Sequence, residues 1–280
     1  MKGWWLGLLL AMSTCAIAAD KHQEVRSQLE ASTLLTGTID IGPDGRVVAH
    51  AIDQVDRLPQ AVVRLVDRLA KDWTFEPVRV DGRVVKARVK MSLRVGARSN
   101  EAGQTVVWLR NAFFGEELPG EEVASKKLSP PEYPGGAARA GVSATAYVVV
   151  KVGRDGRVED SFIEQVNVRA VAKPSDMPLW REMFAKTTLR AASYWKFLPP
   201  TKGPEVDAPF WLVRVPVDYV MRGETPPAYG QWQAYVPGPV QRAPWLPDRA
   251  ALAGGPDALP PGGVYSANAG LKLLTPLGGS

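Results

Sequence analysis

Gly42-Pro-Asp-Gly-Arg-Val47 and Gly153-Arg-Asp-Gly-Arg-Val158 are two versions of one hexapeptide, and the segments that follow each decide the organisation of the chain. Downstream, Ile52-Asp-Gln-Val55 parallels Ile163-Glu-Gln-Val166. A helical stretch follows in each half, and then Trp73-Thr-Phe-Glu-Pro77 parallels Trp195-Lys-Phe-Leu-Pro199. Each half ends in an alternating strand. The same segments in the same order mark an internal repeat. The fold class expected is α+β: two small β-β-α-β units, each an antiparallel sheet packed on one helix, plus an irregular Pro/Gly-rich tail.

Each segment has a physical reason for its place. Asp44-Gly45 and Asp155-Gly156 are turn dipeptides, since Gly accepts positive φ and Asp binds its own backbone, so each joins two hairpin strands. Ala146 to Val152 is apolar and β-rich. A first helix is predicted from about Pro59 to Asp72, with Val62, Val63, Val66 and Leu69 on one face. A second is predicted from about Pro178 to Tyr194, with Leu179, Met183, Phe184, Thr187, Ala191 and Tyr194 as its apolar stripe. Trp73, Phe75, Trp195 and Phe197 follow the helices at strand-like spacing and are expected to fill the helix–sheet cores. Lys86, Arg88 and Lys90 alternate with apolar residues, which gives the first closing strand a basic outer face. In the second, Trp211, Val213, Val215, Val217 and Tyr219 alternate with Leu212, Arg214, Pro216 and Asp218. Pro216 has no N–H to give a ladder and marks an edge strand.

Working outward, residues 1–19 read as a signal peptide: Lys2, an apolar run from Trp4 to Ile17, and the small residues Ala16 and Ala18 around Ile17. The run is shorter than the roughly 20 apolar residues a spanning helix needs, so an anchored form is the alternative. Its removal takes away Cys15, the single cysteine, and lowers the formal charge from +5 to +4, because Lys2 is the one charge in that segment. No disulfide or cysteine metal site is then expected. The charge excess calls for no nucleic acid and is compatible with an anionic envelope surface. Residues 20–96 form the first unit, 97–127 a linker with one short strand (Thr105 to Arg110), 128–221 the second unit, and 222–280 the tail. Pro226-Pro227, Pro237-Gly-Pro239 and Pro260-Pro-Gly-Gly263 mark irregular chain there. Trp232, Tyr235, Trp245, Leu246 and Tyr265 argue for a tail docked on the units, covering the Phe210–Tyr219 edge and controlling access to it.

Material for catalysis is sparse. The chain has two histidines, His22 and His50, in no metal-spaced cluster, and it carries no nucleophile elbow, Walker loop or dinucleotide fingerprint. An enzyme, a cofactor and a catalytic or metal site are not expected. A hydrolase of cell-wall polymers is the weakest reading.

Tyr133-Pro134, Gly141-Val142, the strand Tyr147 to Val152, Asp155-Gly156-Arg157-Val158, the helix and Trp195-Lys196-Phe197-Leu198-Pro199 together resemble the C-terminal domain of the TonB energy transducers. The likeness covers residues 128–221, about a third of the chain, and residues 31–95 look like a shortened, divergent copy without the Tyr-Pro lead-in. The resemblance implies a periplasmic domain that takes an extended segment of an outer-membrane TonB-dependent receptor, or of another envelope protein, as an added strand. It implies a groove between the lead-in, Pro131, Glu132, Tyr133 and Pro134, and the closing strand, Phe210, Leu212, Arg214, Val215 and Val217. The chain departs from the transducers in lacking a Pro-rich spacer, and Ala144 stands where the family commonly has Gly. A structural scaffold in which two repeats bury each other's edges is the competing reading, and a homodimer by strand exchange is compatible with open edges.

Overall fold

The computed structural model describes residues 30–278 apart from 81, 101, 116–118, 171, 172, 226, 247–253 and 269. The signal-peptide reading and His22 lie outside these residues. In chain order the first unit comprises β1 (Glu30–Ile41), β2 (Val47–Ile52), α1 (Gln60–Asp72), the short strands β3 (Arg79–Val80) and β4 (Arg83–Val84), β5 (Ala87–Ser99) and β6 (Thr105–Gly115). The second comprises β7 (Ala124–Lys127), α2 (Gly135–Ala140), β8 (Ala144–Gly153), β9 (Val158–Val168), α3 (Met177–Ala192), β10 (Lys196–Leu198) and β11 (Phe210–Tyr219). The tail adds β12 (Gln233–Tyr235) and β13 (Tyr265–Ser266). The class is α+β, with antiparallel pairing throughout these sheets.

The two sheets repeat one plan. In the first, β1 lies between β5 and the hairpin partner β2, and β6 continues the sheet beyond β5. In the second, β8 lies between β11 and its hairpin partner β9, and β13 continues beyond β11. The repeated hexapeptides are the two hairpin turns, and the reason they travel with Trp-x-Phe is a hydrogen bond. The Gly45 carbonyl accepts from Phe75 N–H and the Gly156 carbonyl from Phe197 N–H, each at 2.8 Å. Gly45 and Gly156 hold φ of 80° and 75°, and Asp44 and Asp155 accept from Arg46 and Arg157 N–H at 3.2 and 2.9 Å. Each turn is therefore clamped to the extended segment that leaves its helix, and Trp73, Phe75, Trp195 and Phe197 are all buried in the two helix–sheet cores.

Three local expectations need correction. The α1 stripe is Val62, Leu65, Val66, Leu69 and Ala70, so Leu65 belongs to the core and Val63 lies at its margin. The α3 stripe is Met177, Phe184, Thr188 and Ala192, whereas Leu179 is 50% and Tyr194 72% exposed. A threonine serves there because its Oγ1 is satisfied by the Phe184 carbonyl at 2.8 Å and the Tyr219 hydroxyl at 2.7 Å, and Tyr194 lies beyond the helix end. Finally, Ile52–Val55 and Ile163–Val166 are alike in sequence but not in conformation. Gln165 continues β9, while Gln54 has φ 46° and turns the chain out of β2 into a 3-10 turn at Val55–Arg57.

Of the segment expected as a linker, residues 97–99 and 105–115 belong to the first sheet and Ala124–Lys127 pairs with β10 of the second unit. β6 pairs with β5 from Ser99↔Thr105 to Lys90↔Gly115, so the boundary drawn at residue 96 falls inside a strand. The tail is docked where it is described. Tyr229, Trp232, Leu271, Leu273 and Leu277 pack on the first core, and Ala243, Leu246 and Ala267 pack with Val149 and Leu212 on the helix-free face of the second sheet. Between the sheets sits Asp257, fully buried. Its main-chain oxygen accepts from Arg94 Nε at 2.9 Å, and its carboxylate accepts from Asn111. Ser92 donates to the Ala258 carbonyl at 2.6 Å. The repeats thus meet through their helix-free faces, with tail residues 254–267 between them.

Candidate functional site: the tail-covered edge of the second sheet

β11 pairs along its whole length with β8, from Phe210↔Gly153 to Tyr219↔Ala144. Its other edge is where the sequence places a partner strand, and the tail lies there. β13 pairs Val213↔Ser266 and Arg214↔Tyr265, and Ala267 N–H donates to the Leu212 carbonyl at 2.8 Å. Alternation of an antiparallel ladder then turns the main-chain groups of Leu212, Arg214 and Pro216 to this outer edge. Continuing the register would set Gly263 opposite Pro216, which has no N–H to offer. The ladder stops one step short of it. β11 is therefore not an edge strand where β13 pairs, contrary to the expectation from Pro216; Pro216 instead limits how far the second strand can pair.

The side chains of β11 divide between two faces. Trp211, Val213, Val215, Val217 and Tyr219 enter the helix-side core. Leu212 and Arg214 are buried on the helix-free face, where Arg214 makes a bidentate pair with Glu164 at 2.7 and 2.9 Å. Glu164 is the extra residue of a β-bulge, since Gln165 pairs with Tyr147 and Ile163 with Val148. Both charges are taken out of water, and the two-pronged geometry compensates them.

The residues expected to form the groove are not brought together as one surface. Tyr133 packs edge-on against Phe184 and Tyr219 with centroids 5.9 and 5.7 Å away, and its hydroxyl donates to the Val142 carbonyl at 2.7 Å. The lead-in is thus fastened to the helix side, with Trp195 Nε1 donating to the Ser129 carbonyl at 2.8 Å and Pro134 buried. Pro131 is half-buried and Glu132 exposed. Val215 and Val217 are core, Arg214 is paired, and Leu212 and Phe210 pack with the tail cluster. What the site offers a strand is the outer main chain of β11, not these side chains, and β13 already occupies part of it. Tyr265, one of the tail aromatics expected to dock, is on this edge; the residues without a sequence assignment are Ser266 and Ala267, and the short apolar–polar alternation of Tyr265, Ser266 and Ala267 after Gly262-Gly263 is a faint strand signal inside a Pro/Gly-rich tail.

Burial sets the electrostatics around this edge. Desolvation pushes the Tyr147 hydroxyl up to about 12, against a smaller opposing pull from Arg94. It also raises Tyr219 and Tyr133, with hydrogen bonds to Thr187, and to Ser143 for Tyr133, acting the other way. Among the described residues no cluster of three metal-ligating side chains occurs, and no helix is long and apolar enough to cross a membrane. No family model, no curated protein and no solved structure matches the chain.

Proposed function

We propose that this is a binding protein, not an enzyme, which takes extended segments of envelope proteins as added strands in the manner of TonB C-terminal domains. Its partners would be outer-membrane receptors of TonB-dependent transport or other envelope proteins, and its place the periplasm after removal of residues 1–19, or an inner-membrane anchor facing the periplasm if they stay. The observation that carries the reading is the β13–β11 pairing: the edge already holds an extended segment through main-chain bonds, with Ala267 N–H on the Leu212 carbonyl at 2.8 Å. An edge strand of this kind recruits strands through its backbone, and side chains set register. The test is fluorescence polarisation of labelled peptides from the N-terminal regions of outer-membrane receptors, titrated with the full chain. Saturable binding that disappears when alternate peptide residues become proline is expected, since proline cannot complete the ladder. Binding indifferent to proline would contradict strand addition.

A second reading is a scaffold without energy transduction. It is favoured by fully buried Asp257 with its Arg94 and Asn111 contacts in the first unit and by Ala243, Leu246 and Ala267 packed with Val149 and Leu212 of the second. The full chain would then bind none of the peptides.

A further inference from the structure

A cavity of about 390 Å³ lies beside β13, within the size range of small-ligand and side-chain pockets. It is lined by Met91 of β5, Phe113 of β6, Pro260 and Tyr265 of the tail, and Thr36 and Thr38 of β1. The lining thus comes from the first sheet and the docked tail together. Phe113 and Tyr265 meet edge-to-face at 5.8 Å and 70°, an arrangement that a third ring extends favourably, and the Met91 thioether suits an aromatic neighbour. Asp53 and exposed Lys90 also line the cavity and form no ion pair with each other or with any other described residue.

Ser266 lines the same cavity. It stands opposite Val213 as the non-hydrogen-bonded pair of the β13–β11 ladder, so its N–H and C=O point away from β11. Among the described residues neither group has a partner, so a main-chain donor and acceptor adjoin an apolar pocket, the two parts that strand-adding sites combine: backbone bonds for affinity and a pocket for one side chain. We infer that this cavity holds one aromatic side chain of an extended segment pairing along the outer side of β13. The inference rests on the strand-addition reading above and names what that site selects. The segment's backbone bonds Ser266, its ring enters between Phe113, Tyr265 and Met91, and polar neighbours of the ring face Lys90 and Asp53.

The experiment uses the full chain and two capped hexapeptides of alternating Thr and Val that differ only in carrying Phe or Ala at the third position. The Phe peptide is expected to bind about tenfold more tightly. Thr38→Trp, which fills the cavity from β1, is expected to bring the Phe peptide down to the affinity of the Ala peptide while leaving the Ala peptide unchanged. Lys90→Trp fills it from an exposed position of β5 and serves if Thr38→Trp does not reach a wild-type melting temperature; because Lys90 faces neighbours that both peptides carry, its readout is the Phe-to-Ala affinity ratio, expected to fall to about one. Equal affinities for the two peptides overturn the pocket and leave strand addition standing. Absence of binding by both overturns the pocket and the reading it rests on. N-acetyl-phenylalanine amide binding as tightly as the Phe peptide also overturns it, because the backbone of the segment then contributes nothing.

Discussion

A Cβ added at Gly156 would stand 2.2 Å from the Phe197 carbonyl oxygen, and one at Gly45 would stand 2.0 Å from that of Phe75. Both glycines also hold positive φ, so Gly156→Ala combines backbone strain with a clash against main chain that cannot swing aside. A loss of about 2 kcal/mol or more is expected in urea unfolding. These two positions were legible in the sequence, because Asp-Gly turns carry their own conformational chemistry. The clamp to Phe75 and Phe197 was not legible, since nothing local specifies a bond between a turn and a strand some thirty to forty residues on. Tyr147 gives a pH prediction. Its folded pKa, about 12, lies above the ordinary 10, so the folded state keeps the proton longer. Its contribution is complete below pH 10 and is lost as pH rises toward 12. That is up to about 3 kcal/mol, with the raised Tyr133 and Tyr219 acting in the same direction. Tyr147→Phe should flatten the alkaline fall in chemical-denaturation stability measured between pH 9 and 12; an equally steep fall would count against burial as the cause. At the buried Arg214–Glu164 pair, Glu164→Gln is expected to cost about 3–5 kcal/mol by removing the carboxylate charge opposite the buried guanidinium, while Glu164→Leu with Arg214→Met together should cost less than the single change.

Among the elements, hairpins, helices and closing strands followed from periodicity and turn chemistry, and the alternation of Trp211 to Tyr219 gave the core face of β11 correctly. The helix stripes were harder. Thr188 looks polar and faces the core because the Tyr219 hydroxyl satisfies it, whereas Leu179 looks apolar and is half exposed, and Tyr194 lies past the helix end. Pro216 points to an edge strand, but β13 makes β11 an inner strand, and the proline acts only by limiting the length of that pairing. Ala267→Pro removes the N–H that bonds the Leu212 carbonyl. It should destabilise the tail by about 3 kcal/mol and speed amide exchange at Arg214. Unchanged exchange at Arg214 would mean that β13 does not protect the edge.

For the molecule as a whole, two repeats of one plan are joined by a tail whose aromatics point to docking over the Phe210–Tyr219 edge, where β13 lies, but whose composition does not give its route between the two units. Its path between two helix-free faces depends on Arg94, Asn111 and Asp257, which are separated by up to 163 residues. Contacts of that range leave no periodic trace. Removing residues 223–280 would uncover Arg94, Leu212 and the β11 edge together, and limited proteolysis should then cut within the two units, where the full chain resists. Whether this edge takes a partner is decided by amide hydrogen exchange on the full chain, with and without a saturating peptide from the N-terminal region of an outer-membrane receptor. Strand addition predicts new protection at Ser266 and its neighbours on β13, because their outward main-chain groups become paired. Exchange along β11 and β13 that the bound peptide leaves unchanged would contradict it.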